Sequence, residues 1–326
     1  MTDEALKNFD IQCRDAVWED FDLSSGFPAR RPHIAHYTSL EVLEKIAHSD
    51  TLWMSHPLLM NDHEEMRWAM VVGRQRLFAS SRLSAVCGSP TRLQELLRGF
   101  DEAMATFTVF FAPNIFVACF SEHDQNDIDG RLSMWRGYGA QGGGVALIFD
   151  TKKIEASTNQ ASPFVLHPVS YQSTSQREQR IDGVLEKLAL LIEQASPADE
   201  HLRIAGAHFL ERLKILGLFT KHIGFQEEAE WRLAYLADRD TTGTFRDFLS
   251  YTIGPRGAHP KMKLKIAPHA GIADTALSLE KITSRIILGP TAASPLSLHA
   301  VRNMLHTAGK QELATRLDSS SIPFRN

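Results

Sequence analysis

Residues 119–150, CFSEHDQNDIDGRLSMWRGYGAQGGGVALIFD, decide the fold. The apolar run 116–120 leads into this stretch and the run 145–149 closes it. Short apolar runs bounded by loop signals read as strands of a covered sheet. Between them the pattern predicts a polar loop with Ser121, Glu122, His123 and Asp124, a short helix around residues 134–135, and a glycine hinge. Polar and aromatic groups at the ends of buried strands are a common way to build a site. Gly137-x-Gly139-x-x-Gly142 matches a dinucleotide fingerprint in letters only. That fingerprint joins a strand to a helix whose N-terminus faces pyrophosphate. Here the order is helix, glycines, strand, so the glycines read as a hinge closing onto a buried strand.

Upstream, residues 34–37 form a first strand, and Thr38-x-x-Glu41 reads as a capping box opening a helix with Leu40, Leu43 and Ile46 on its buried stripe. Residues 52–54 are a brief strand, after which Asn61 or Asp62 caps a helix. Residues 103–121 carry no charge, but Pro113-Asn114 breaks them, so a helix end, a turn and a strand are expected rather than a membrane span. Downstream come a strand at 164–171, helices at 176–194 and 198–219 whose stripes suit an αα-hairpin laid against the sheet, and a strand at 231–236. A hairpin of residues 248–254 and 262–266, a strand at 285–288 and a helix opened by Ser294-Pro295 complete the chain. No linker interrupts it. The expectation is a single α+β domain over residues 1–326, with a small mixed or split β-sheet, flanking helices and a helical-hairpin insertion at 176–220.

A net charge of -4 gives no global reason to expect nucleic acid or anionic membrane as partner, which leaves only a local basic patch open. Three scattered cysteines argue against a disulfide framework and a structural zinc site, and Cys119 within an apolar run reads as a core residue. The acidic start MTDEALKNFD has no apolar segment of a signal peptide, so a cytoplasmic protein without a membrane partner is expected.

Several motifs occur in a fixed order: HYTSLEVLEKIAHSDTLWMSHPLLMND, CFSE, LSMWRGYG with GGGVALIFD, KHIGFQEEAEWRLAY, IILGP and SSSIPFR. Together they resemble the bacterial domain-of-unknown-function family numbered 2971, over about residues 34–325. Where that family follows Asn-Asp with proline and an aromatic, this chain has His63, Glu64 and Glu65 after Asn61-Asp62. A second resemblance is narrower. His36-Tyr37-Thr38-Ser39 is similar to the opening strand-helix unit of ADP-ribosyltransferases, and Glu228-Ala229-Glu230 looks like the paired glutamates of one branch of that superfamily. The resemblance implies a split sheet holding NAD in a cleft, with a nucleic acid or protein acceptor and a role as a toxin or defence effector.

Each candidate residue has a functional and a plainer reading. Glu228 and Glu230 on an extended segment would share a face, which suits acid/base work; they also read as a solvated run paired with Arg232. Under the transferase resemblance Glu230 holds the ribose 2′-hydroxyl and steadies the cationic centre, Glu228 positions the acceptor, and His36 with Tyr37 contacts the nucleotide. Trp135 and Tyr138, three apart, are either an aromatic wall for a base or core packing. Asn61, Asp62 and Glu65 are cation ligands or a helix start. Arg136, Lys221, Arg232 and Arg325 are cations for a phosphate or partners for those carboxylates. Three functions remain open: a nucleotide-acting enzyme using NAD as co-substrate without a metal; a metal-dependent nuclease or phosphohydrolase using Asp62, Glu65, Glu228 and Glu230; and a non-catalytic binding module.

Overall fold

A computed structural model describes residues 2–59, 65–155, 162–254, 257–269 and 276–324. Twelve strands occur among them: β1 (His33–Thr38), β2 (Thr51–Ser55), β3 (Phe116–His123), β4 (Val145–Asp150), β5 (Phe164–Pro168), β6 (Ser170–Gln172), β7 (Thr220–His222), β8 (Glu230–Tyr235), β9 (Leu249–Gly254), β10 (Gly257–Lys265), β11 (Thr283–Leu288) and β12 (Leu317–Ser319). The class is α+β, with a mixed sheet and flanking helices. The chain forms two compact units, and each is discontinuous in sequence: residues 1–23, 57–115 and 169–224 make one, and residues 24–56, 116–168 and 225–326 the other. One domain was expected because no linker punctuates the sequence. The chain passes between the units through ordinary short connections, and a boundary of that kind leaves no compositional mark.

The first unit is helical. Its long helices are Thr2–Trp18, Glu65–Ala79, Pro90–Thr106, Thr174–Ala195 and Leu202–Phe219, with a small parallel pair of β6 and β7. The two helices expected as an αα-hairpin hardly touch each other. Leu202–Phe219 packs on Pro90–Thr106 and Glu65–Ala79, and Thr174–Ala195 packs on Ser81–Cys87 and Thr2–Trp18. The reason lies in Leu202–Phe219, which buries nearly its whole circumference, including Arg212 and Lys214, and so needs neighbours on several sides. Arg212 is held there by Asp20, at 2.9 Å. Ser81–Cys87 is a short helix capped by Ser80 and closed by Gly88 at φ 74°.

The second unit holds a ten-stranded sheet, larger than the small sheet expected. Its main path runs β12-β11-β4-β1-β3-β2-β10-β9, and β8 pairs with both β3 and β5. Only β11 and β12 are parallel within it. The expected hairpin is present as β9 and β10. One edge of β3 is shared by two strands that splay apart. β1 pairs with it only from His33↔His123 to Ala35↔Ser121, and β2 only at Ser55↔Val117. The helix Leu40–Ser49 links β1 to β2 and buries Leu43, Ile46 and Ala47. Its cap is Ser39, whose hydroxyl accepts from the Val42 amide, rather than Thr38, which belongs to β1.

Alternation divides the sheet into two faces. Ile34, Phe120, Leu147, Trp231 and Ile286 belong to the larger core, while Ala35, Tyr37, Ala146, Ile148 and Ile287 pack with Met134 and Trp135 on the other face. No helix among the described residues is long and apolar enough to cross a membrane. Residues 103–121 run as a helix end, a π turn, a 3-10 turn at Pro113-Asn114 and β3, as the break at proline predicted.

Candidate functional site

Trp135 organises the second face. It lies on the short helix Leu132–Gly137, is fully buried, and donates its indole N–H to the Asp129 carbonyl at 2.8 Å. The Tyr37 ring meets it edge-on at 4.8 Å. Gly139 is required beneath it, because a Cβ there would sit 2.5 Å from the indole. At Gly144 a Cβ would lie 2.2 Å from the Thr38 carbonyl oxygen, so the start of β4 can approach β1 only without a side chain. The glycines therefore pack around a buried tryptophan. Trp135 is core and offers no surface to a ligand. Tyr37 is buried too, its hydroxyl accepting from the Arg131 amide at 2.9 Å, and burial pushes its phenol up to about 12.

Tyr138 does not share a helix face with Trp135. It follows the helix with φ -129° and is well exposed, and its hydroxyl donates to Glu228 Oε1 at 3.0 Å. Glu228 ends a 3-10 turn, Ile223–Glu228. Ala229 then turns left-handed at φ 41°, and Glu230 opens β8. The two glutamates are thus not alternate residues of one extended segment, because the left-handed residue between them breaks the period of two. The turn is tied to β3 by Ser121, whose hydroxyl donates to the Glu228 carbonyl at 2.7 Å, and by the Glu122 amide, which donates to the Ala229 carbonyl at 2.8 Å. Arg131, which the sequence did not single out, spans the same junction with bonds to the Glu122 and Glu227 carbonyls.

Glu230 is buried and paired with Arg232 through two parallel hydrogen bonds, of 2.9 and 3.0 Å. Both residues lie on the Trp135 face, since Glu230 stands opposite Ser121 and Arg232 opposite Cys119. Tyr138, Glu228, Glu230 and Arg232 therefore gather on one side of the sheet. His36 does not join them. It stands on the face of Ile34 and Phe120, its ring 5.7 Å from Phe120. Its Nδ1–H donates to the Cys119 carbonyl at 3.1 Å, just past the end of the β1–β3 pairing at Ala35↔Ser121. Glu122 also faces away from Glu230, accepting from Trp231 Nε1 at 2.8 Å and pairing with Arg30. Arg136 lies over the Phe324 ring at 5.3 Å. Lys221 is buried on β7 in the helical unit. Asn61, Asp62 and Arg325 lie outside the described residues, as does the side chain of Glu65.

Sequence reasoning missed a cavity of about 250 Å³ on the same face, lined by His33, His123, Gln125, Asp150, Ser284 and Arg285. Strand register makes it: His33 is opposite both His123 and Asp150. His33 Nε2 is 3.8 Å from Asp150, and Arg285 donates to the Asp127 carbonyl at 3.2 Å. Among the described residues no three His, Cys, Asp or Glu groups are placed to hold a metal ion.

Burial holds both His36 and His123 below the ordinary histidine value of 6.5; Asp127 opposes the shift at His123 without reversing it. The folded protein thus resists protonation that the unfolded chain accepts. Their contribution to stability is complete above about pH 6.5 and is lost as the pH falls through the lower folded values. Urea unfolding at about pH 7.5 and about pH 5.5 should show this loss. A His36→Gln, His123→Gln double variant should show a smaller drop between the two conditions.

No curated protein and no solved structure matches the chain. Residues 134–233, from the Trp135 helix through the glycine turn to β8, and so including Tyr138, Glu228, Glu230 and Arg232, match the family model described as Protein of unknown function (DUF2971), which covers less than half of the chain.

Proposed function

We propose that the chain acts on a nucleotide held at Tyr138 and Glu228, as an enzyme resembling NAD-dependent ADP-ribosyltransferases. The observation that carries this reading is the 3.0 Å hydrogen bond from Tyr138 to Glu228, which sets an exposed aromatic ring beside a carboxylate. An exposed ring can stack on a base or on nicotinamide, and a carboxylate is the natural acceptor for ribose hydroxyls. The split between β1 and β2 in the same sheet supports the reading, as does the left-handed Ala229, which turns Glu228 outward while Glu230 stays in the sheet.

In the proposed reaction the bond between ribose C1′ and nicotinamide breaks, and its electron pair leaves with nicotinamide. The Glu230 carboxylate stabilises the positive charge that develops at C1′. Arg232 is a positioning residue that fixes Glu230 through its two hydrogen bonds. The acceptor hydroxyl or amine adds to C1′ and gives its proton to Glu228; water takes that place when no acceptor is bound. His36 has no part in this scheme.

The test is incubation of the purified full chain with labelled NAD and cell extract. Nicotinamide release and label transfer are expected, with Glu230→Gln at least about 100-fold slower. No release and no transfer from the wild-type protein overturns the reading.

A further inference from the structure

Every second residue of β10 is basic where it pairs with β2. Lys261, Lys263 and Lys265 stand opposite Ser55, Trp53 and Thr51, so all six side chains share one face, while Met54 and Met262 are buried on the other. The lysines are tied down without being neutralised. Lys261 Nζ donates to the Ser55 hydroxyl at 2.6 Å, Lys265 Nζ to the Ser49 carbonyl at 2.7 Å, and Lys263 Nζ lies 4.5 Å over the Trp53 ring. None of the three has an ion pair among the described residues. The nearby cation Lys310, by contrast, is matched by Asp50 at 2.6 Å and Glu280 at 2.9 Å. Trp53 remains 37% exposed within this row of charge. The strand pair is therefore a pleated platform with three tethered lysines, of which Lys261 is held below the usual lysine value by burial, and an accessible aromatic ring.

We propose that this face binds single-stranded nucleic acid, the lysines following the phosphodiester backbone and Trp53 stacking on a base. Side chains two residues apart on a strand are separated by about 6.6–6.8 Å, a repeat similar to one stretched nucleotide. Positive charge interleaved with an aromatic ring on an open sheet is how sequence-tolerant single-strand binding is built, because every base has a stacking face. A duplex keeps its bases stacked on one another and leaves the ring without a partner. A membrane surface fits less well. The exposed apolar residues of the hairpin, Tyr251 and Ile253, alternate onto the opposite face from the lysines, so among the described residues of β2 and β10 the charged face presents only Trp53 to insert. The net charge of -4 hid this patch, since Met262 and Leu264 separate the lysines and the segment reads as an amphipathic strand. The bound strand would be the acceptor of the enzyme proposed above; that role rests on that reading, whereas binding itself does not.

The experiment is fluorescence anisotropy of a labelled single-stranded oligonucleotide with the full chain, in the absence of NAD and across a salt series. Saturable binding that weakens with salt is expected. Lys261→Gln, Lys263→Gln, Lys265→Gln together should weaken it at least tenfold and reduce the slope of log K against log salt by about 2, at roughly 0.7 per lost phosphate contact. Lys263→Gln alone should give an intermediate loss, and a smaller loss should follow Trp53→Ala. No binding by the wild-type chain, unchanged binding by the triple variant, equal affinity for duplex, or stronger capture by vesicles of anionic lipid would each overturn the proposal. Oligonucleotide binding with no NAD turnover would sink the enzyme reading alone; turnover with no oligonucleotide binding would sink this inference alone.

Discussion

Arg232→Ala is expected to destabilise the sheet unit by about 3–5 kcal/mol, the range for removing one partner of a buried ion pair. The loss arises from what remains. Glu230 is 4% exposed and accepts both guanidinium bonds, so truncating Arg232 removes two charge-assisted hydrogen bonds from a buried carboxylate. Arg232→Lys should recover only part of the stability, because an ammonium cannot reproduce the two parallel N–H bonds. Urea unfolding followed by tryptophan fluorescence measures both variants. A change below about 1 kcal/mol in Arg232→Ala would mean that the pair contributes little to the fold.

Trp135→Ala should cost a similar amount, about 3–5 kcal/mol, by a different route. The ring is fully buried against Tyr37, and Gly139 has no side chain so that the ring can lie over it. The Asp129 carbonyl also loses its indole donor. Trp135→Phe keeps much of the contact and loses that hydrogen bond, so a smaller loss is expected. If Trp135→Ala proved as stable as the wild type, the account of the glycine motif as packing around this ring would be wrong. Since the same helix leads directly to Tyr138, Trp135→Ala should also weaken whatever binds there.

These two residues show what the sequence could and could not reveal. The strands were legible because apolar runs such as 145–149 stay unbroken when both faces of a strand are covered. The order helix, glycines, strand was enough to reject a nucleotide loop, and the packing around Trp135 gives the glycines another purpose. The relation of Glu228 to Glu230 was not legible. It turns on the positive φ of Ala229, which no side-chain pattern encodes at an alanine. Nor was it legible that His36 stands on the face opposite Glu230, since its role depends on where β1 parts from β3, a matter of register between residues far apart in the chain. The cavity of His33, His123 and Asp150 was hidden for the same reason, as three strands bring those residues into one row. The two-unit organisation left no mark because both units are assembled from separated segments.

The central claim is that Tyr138 and Glu228 form the entrance of a nucleotide site, with Glu230 fixed on the same face. Calorimetric titration of NAD into the full chain, the wild-type protein beside Glu228→Gln, tests it most directly. The account predicts saturable binding by the wild type and at least about a tenfold loss in the variant, one hydrogen bond to a charged group being worth about 1.5–3 kcal/mol. Absence of binding to the wild type, or equal affinity in the two proteins, would contradict it.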